Sequence, residues 1–161
     1  MMDALFPLLI FSAALGAGIN AGLFFIFSVC IMGALGRLPA EQGIAAMQAI
    51  NVVILNPLFL LAFMGTAVLS LVLVAGGFVH GGPARIYLIA GGLLFLGGTI
   101  LVTMVSNVPM NNALEALQPG SDEAARLWSS TYLVDWVRWN HVRTLSSIGA
   151  LGCFVMAFRA V

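Results

Sequence analysis

Four stretches of this sequence are too long and too apolar for a water-facing surface, and they decide what the chain can fold into. From Ala4 to Leu35 no side chain is charged, and three later runs, Pro57 to Val79, Arg85 to Ser106 and Trp136 to Phe158, are nearly as bare. Lipid offers no partner to a backbone N–H or C=O, so such runs must close their hydrogen bonds internally, and a helix of about 20 residues is enough to cross the hydrocarbon core. The expected fold is therefore all-α: a four-helix transmembrane bundle forming a single integral membrane domain over residues 1–161, with spans at about 5–35, 57–79, 85–106 and 136–158. Composition agrees, because 61% hydrophobic against 7% charged residues lies far outside the balance of soluble domains.

The connections carry their own signals. Arg37, Leu38 and Pro39 end the first span, and in the stretch Ala40 to Asn56 the apolar residues Ile44, Met47, Ile50 and Ile54 recur opposite Glu41, Ala45 and Gln48. That periodicity predicts an interfacial helix between spans one and two. The glycine-rich turn Val79 to Pro83 makes spans two and three an antiparallel hairpin. Before span four, Ser121 followed by Asp122 and Glu123 predicts a short capped helix. In span one, Gly18-x-x-x-Gly22 reads either as ordinary intramembrane glycine or as the face of a homo-oligomer. The N-terminal stretch has no basic leader and is too long for a signal h-region, so it is expected to remain on the mature, multi-pass protein.

The apolar run Leu145 to Phe158 cannot cross alone, and extending it back to Trp136 brings Arg138, Asn140, His141 and Arg143 into the first turns of span four. Groups of this kind at that depth are costly and turn toward a bundle interior, a cavity or the interface. Trp136, Asn140, Arg143 and Ser147 share one helix face; Thr99, Thr103, Ser106 and Met110 share another on span three, beside Asn107 and Asn111. Facing each other, the two stripes would line a polar pocket beneath one membrane surface. There Arg143 either binds an enolate-like oxygen or snorkels to headgroups, and Arg138 either snorkels or pairs with Asp135. His141 is either a general base or an interfacial residue. Arginines near the span ends favour the polar end as cytoplasmic, but the count ties once Arg138 and Arg143 are set aside as site residues.

Several function classes fall away. A net charge of zero gives no basic surface for nucleic acid. Cys30 and Cys153 form no Cys-x-x-Cys pair and read as small buried packing residues. His80 and His141 lie on opposite membrane sides, too far apart to share a haem, and neither metal-ligand spacing nor a phosphate-binding glycine loop is present. No metal and no other cofactor is expected. A transporter ranks third among the readings, because four spans make a small path unless the protein oligomerises, and no span holds a charge at mid-depth.

Two motifs add a resemblance. Asn107-Val108-Pro109-Met110-Asn111-Asn112 at the end of span three, with Trp136-Val137-Arg138-Trp139-Asn140-His141-Val142-Arg143 at the start of span four, resembles the anthrone-oxygenase-like membrane family. That resemblance implies a four-helix membrane protein, some of whose fungal and bacterial relatives oxidise anthrones to anthraquinones with molecular oxygen and without a bound metal or flavin. It implies Asn107, Asn111, Trp136, Asn140 and Arg143 as the family-pattern positions, with His141 as a further candidate. The expected function is then a cofactor-independent oxygenase of a bacterial inner membrane acting on a lipophilic anthrone or phenol. His141, Arg143 and Asn140 would be catalytic, while Asn107, Asn111, Trp136 and Thr103 would bind substrate. The alternative is a non-catalytic module whose partners are membrane lipids, a lipid-like molecule or another subunit.

Overall fold

A computed structural model describes residues 2–161, with the side chains of Met2, Asp3, Ala4 and His80 excepted, so Asp3 and His80 lie outside the described side chains. Its described residues are helical with no strand, and four helices are long and apolar enough to cross a membrane: α1 (Leu5–Leu35), α3 (Pro57–Val79), α4 (Arg85–Glu115) and α5 (Asp122–Arg159). The interfacial α2 (Ala40–Val53) lies between α1 and α3.

Local chemistry sets the ends. The Asn56 side chain caps α3 by accepting from the N–H groups of Leu58 and Phe59 at 3.1 and 3.0 Å, with Pro57 in the first turn. Gly81 and Gly82 turn the hairpin with φ of 64° and 73°, a region other residues avoid. Ser121 Oγ accepts from Ala124 N–H at 3.1 Å. The short helix expected there is Asp122–Leu127, and it continues without a break through a π-helical stretch, Trp128–Trp136, into Val137–Arg159. Likewise α4 does not stop near Ser106 but runs on to Glu115.

Small residues let the helices close. Ala13, Ala17, Ala150 and Ala157 lie buried where α1 runs along α5. On α4, a Cβ at Gly92 would stand 2.8 Å from the Ser70 carbonyl oxygen, so α3 and α4 touch backbone to backbone midway along α3. Gly18 faces Leu151 of α5, whereas Gly22 meets nothing. Two sequence expectations change. Gln48 is not on a water-facing side of α2: its Nε2 donates to the carbonyls of Leu114 and Leu117 at 2.8 and 2.9 Å, pinning α2 across the end of α4. Cys30 is exposed on the outer surface rather than buried.

The core is divided. One cluster, including Ile10, Leu73, Leu88, Phe95 and Phe154, fills the end nearer the hairpin. A second, including Phe27, Ile44, Met47, Leu114, Trp128 and Tyr132, fills the polar end. The candidate site lies where the two meet.

Candidate functional site

A cavity of about 670 Å³ is enclosed by α1, α2, α3, α4 and α5. Its walls are rings: Phe24 and Phe27 from α1, Phe59 and Phe63 from α3, and Trp136 from α5. Phe59 and Phe63 stack at 5.4 Å, while Phe24 meets Phe63 edge-on at 6.4 Å. At the inner end is Arg143, only 6% exposed. The residues from Arg143 to Arg159 span about 24 Å at about 1.5 Å each, within a core of about 30 Å, so the guanidinium lies below the membrane surface.

What holds Arg143 there follows from the two stripes, which the fold brings face to face. Thr99 and Ser147 share a hydrogen bond at 2.9 Å, and Arg143 NH1 approaches Thr103 Oγ1 at 3.4 Å. Arg143 NH2 donates to Asn140 Oδ1 at 2.7 Å. Asn140 is fixed in turn, because its Nδ2 donates to the Phe24 carbonyl and to Ser28 Oγ, both at 2.8 Å. The guanidinium packs on the Phe24 ring at 4.4 Å and the Trp136 ring at 5.0 Å, within cation–π range. No carboxylate neutralises it: among the described residues the one ion pair is Arg138–Asp135 at 3.1 Å, on the surface. Arg143 Nε is fully buried with no hydrogen-bond partner among the described residues. A buried cation without an anion is a large expense to a fold, and such an expense calls for an explanation beyond stability.

A second donor is set beside it. Asn111 Oδ1 accepts from Tyr132 Oη and from Trp136 Nε1, each at 2.7 Å. An indole N–H only donates, so the amide orientation is fixed, and the Asn111 NH₂ is left for the cavity. Asn51 of α2 completes the group by donating to Tyr132 Oη at 3.3 Å. The rings of Trp128, Tyr132 and Trp136 stack at 5.4 and 5.6 Å along the π-helical stretch of α5. Residues four apart follow one another on one side of the helix, which lets the three rings form a column.

The sequence candidates therefore separate. Arg143, Asn111, Trp136 and Thr103 line the cavity. Asn140 and Asn107 lie behind it, buried; Asn107 Nδ2 donates to the Trp136 carbonyl at 3.1 Å, and its Oδ1 is unpartnered. His141 is not brought to the site: one helical step beyond Asn140, it is exposed on the outer face of α5 and makes no hydrogen bond to any described residue. This placement follows from the helical step, since an inward Asn140 and Arg143 leave position 141 facing away. Sequence reasoning missed Tyr132, Asn51 and the four phenylalanines. Tyr132 precedes the expected start of span four, Asn51 is on a separate helix whose packing no periodicity fixes, and apolar rings carry no signal of which helix face lines a void. No cluster of three or more His, Cys, Asp or Glu side chains is assembled among the described residues.

The sequence model of one family, described as anthrone oxygenase, matches residues 57–153. No protein of curated function and no solved structure matches the chain. The matched segment runs from the start of α3 into α5, so it holds Thr103, Asn111, Trp136 and Arg143 together with most of the cavity wall. With more than half of its length in that match, this chain belongs to the anthrone oxygenase family.

Proposed function

We propose that the protein is a membrane oxygenase, working without a bound cofactor in a bacterial inner membrane, on a lipophilic substrate of anthrone or phenol type. The observation that carries this reading is the unpaired guanidinium of Arg143 at the inner end of an aromatic cavity. A flat ring system is held between Phe24, Phe63 and Trp136, with its oxygen toward Arg143 and the Asn111 amide. Both donors are set before substrate arrives, and they favour the charge that appears on that oxygen when the ring carbon opposite loses a proton. The resulting enolate is electron-rich enough to reduce molecular oxygen itself. The ring CH₂ becomes a carbonyl, one oxygen atom stays in the product, and the other leaves as water. Asn140 and Thr103 act as positioning residues for Arg143.

The proton does not go to His141, which is outside the cavity. Among the described residues Glu115 is the one carboxylate lining it and stands about 18 Å along α4 from Thr103, so the proton passes to water at the polar mouth. No imidazole of a described residue lines the wall, which also favours a second reading, in which the site binds a lipid-like molecule without turnover.

The test is oxygen uptake by the purified protein with a dihydroxyanthrone, wild type beside Arg143→Ala. Loss of this donor is expected to lower turnover by about 100-fold. Equal uptake by both proteins refutes the site, and stoichiometric binding without uptake selects the second reading.

A further inference from the structure

We propose that the cavity is filled sideways from the bilayer, through an opening between α3 and α4, and that its ligand is accordingly a planar aromatic molecule dissolved in lipid. This rests on the reading above for the identity of the ligand, but not for the opening. α3 and α4 touch through Gly92 and Ser70 midway along α3, and their packing thins toward the polar end, being closest along Arg85–Leu93, looser along Leu94–Leu101 and slight beyond Thr103. Among the residues that line the cavity and also stand exposed are Leu60 and Met64 of α3 and Met104 and Val108 of α4, beside Val52 and Leu55 around the end of α2 and Asn112 and Glu115 at the end of α4. A side chain that faces a void and the exterior at once marks a rim.

Depth decides what lies outside that rim. Met104 follows Thr103, which meets Arg143 at 3.4 Å, so the opening is level with a guanidinium about 24 Å from the far end of α5. Acyl chains, not headgroups, therefore face it. The rim between α3 and α4 has no charged group, and its two methionines are unbranched and adaptable, able to swing aside and close again. The polar residues of the wall, Asn112 and Glu115, stand at the other mouth, toward the membrane surface. Two entrances of opposite character suit a reaction whose substrate arrives in lipid and whose proton leaves in water. A lipid tail would satisfy the rim but not Arg143 and the Asn111 amide, which call for an oxygen.

The rim is tested by closing it. Met64→Cys and Met104→Cys are introduced with Cys30→Ala and Cys153→Ala, and the pair is joined by a short bismaleimide in lipid nanodiscs. Trp128→Phe and Trp139→Phe leave Trp136 as the reporter inside the cavity. Two signals are read. Phospholipids brominated on their acyl chains should quench Trp136 in the open protein and lose that access on cross-linking. Association of a dihydroxyanthrone, followed by the same fluorescence, should slow by roughly tenfold, as for other gated sites. A Leu60→Cys, Val108→Cys pair should behave alike, which separates closure from a local defect. Trp136 unquenched by brominated chains in the open protein, or unchanged association after closure, overturns the lateral entrance. Normal lipid quenching with no anthrone binding instead leaves the entrance standing and refutes the proposed substrate class.

Discussion

Replacing Arg143 by methionine separates a residue kept for function from one kept for the fold. The native guanidinium gains a charge-assisted hydrogen bond to Asn140 at 2.7 Å and two ring contacts at 4.4 and 5.0 Å, together about 4 to 6 kcal/mol. Against this stands the penalty of burying a cation with no anion beside it, several kcal/mol after relaxation. Methionine has similar length, fills the space and removes both sides of that balance, leaving only the Asn140 oxygen without its donor. The expected change in unfolding free energy is therefore small, within about 2 kcal/mol in either direction, against about 3 to 5 kcal/mol for breaking a compensated buried pair. Affinity for an anionic ring ligand should fall by about 2 kcal/mol or more, which is roughly 30-fold. Unfolding in mixed micelles measures the first quantity and tryptophan quenching by bound ligand the second. A variant that loses the fold, or one that folds and binds the anion as before, refutes the reasoning.

Three further substitutions probe the frame. His141→Ala should leave turnover and melting temperature unchanged, because the imidazole points away from the cavity; a loss of activity measured by oxygen uptake would put a base back into the mechanism. Asn140→Leu removes donors to the Phe24 carbonyl and Ser28 as well as the anchor of Arg143, and should destabilise the protein by about 1 to 3 kcal/mol while raising KM, readable from unfolding and kinetics together. Gly92→Ala places a carbon 2.8 Å from the Ser70 carbonyl oxygen and should lower stability by about 1 to 3 kcal/mol through separation of α3 and α4; unchanged thermal unfolding would contradict the close approach.

The sequence carried the fold through the scarcity of its charges, since a bilayer leaves helices as the one solution for runs such as Ala4 to Leu35. It also carried the two polar stripes, because a period near 3.6 fixes which of Thr99, Thr103, Asn140, Arg143 and Ser147 share a face. What it could not carry was register within α5. The π-helical stretch Trp128–Trp136 adds residues to its turns without any proline or glycine to announce them; the column of Trp128, Tyr132 and Trp136 has an ordinary i, i+4 spacing, but it precedes the expected start of span four at Trp136. His141 reads equally as a base or as an interfacial residue, and its place on the outer face of α5 follows from the helical step that turns Asn140 and Arg143 inward. Gln48 illustrates a further gap. An amide on the polar side of an amphipathic helix reads as solvated until a neighbouring helix end presents bare carbonyls, here those of Leu114 and Leu117.

The central claim is that Arg143 lowers the energy of an oxyanion inside the cavity, and an anaerobic spectroscopic titration reads that directly. Without oxygen, a dihydroxyanthrone bound to the protein cannot react further, and its enolate absorbs at longer wavelength than the neutral ketone. In the wild type the bound ketone should ionise at a lower pH than in detergent alone, by at least about one pH unit for about 1.4 kcal/mol of preferential binding. Arg143→Met should bring ionisation back to the detergent value or above it. Ionisation at the same pH in both proteins would contradict the account, whatever the oxygen uptake.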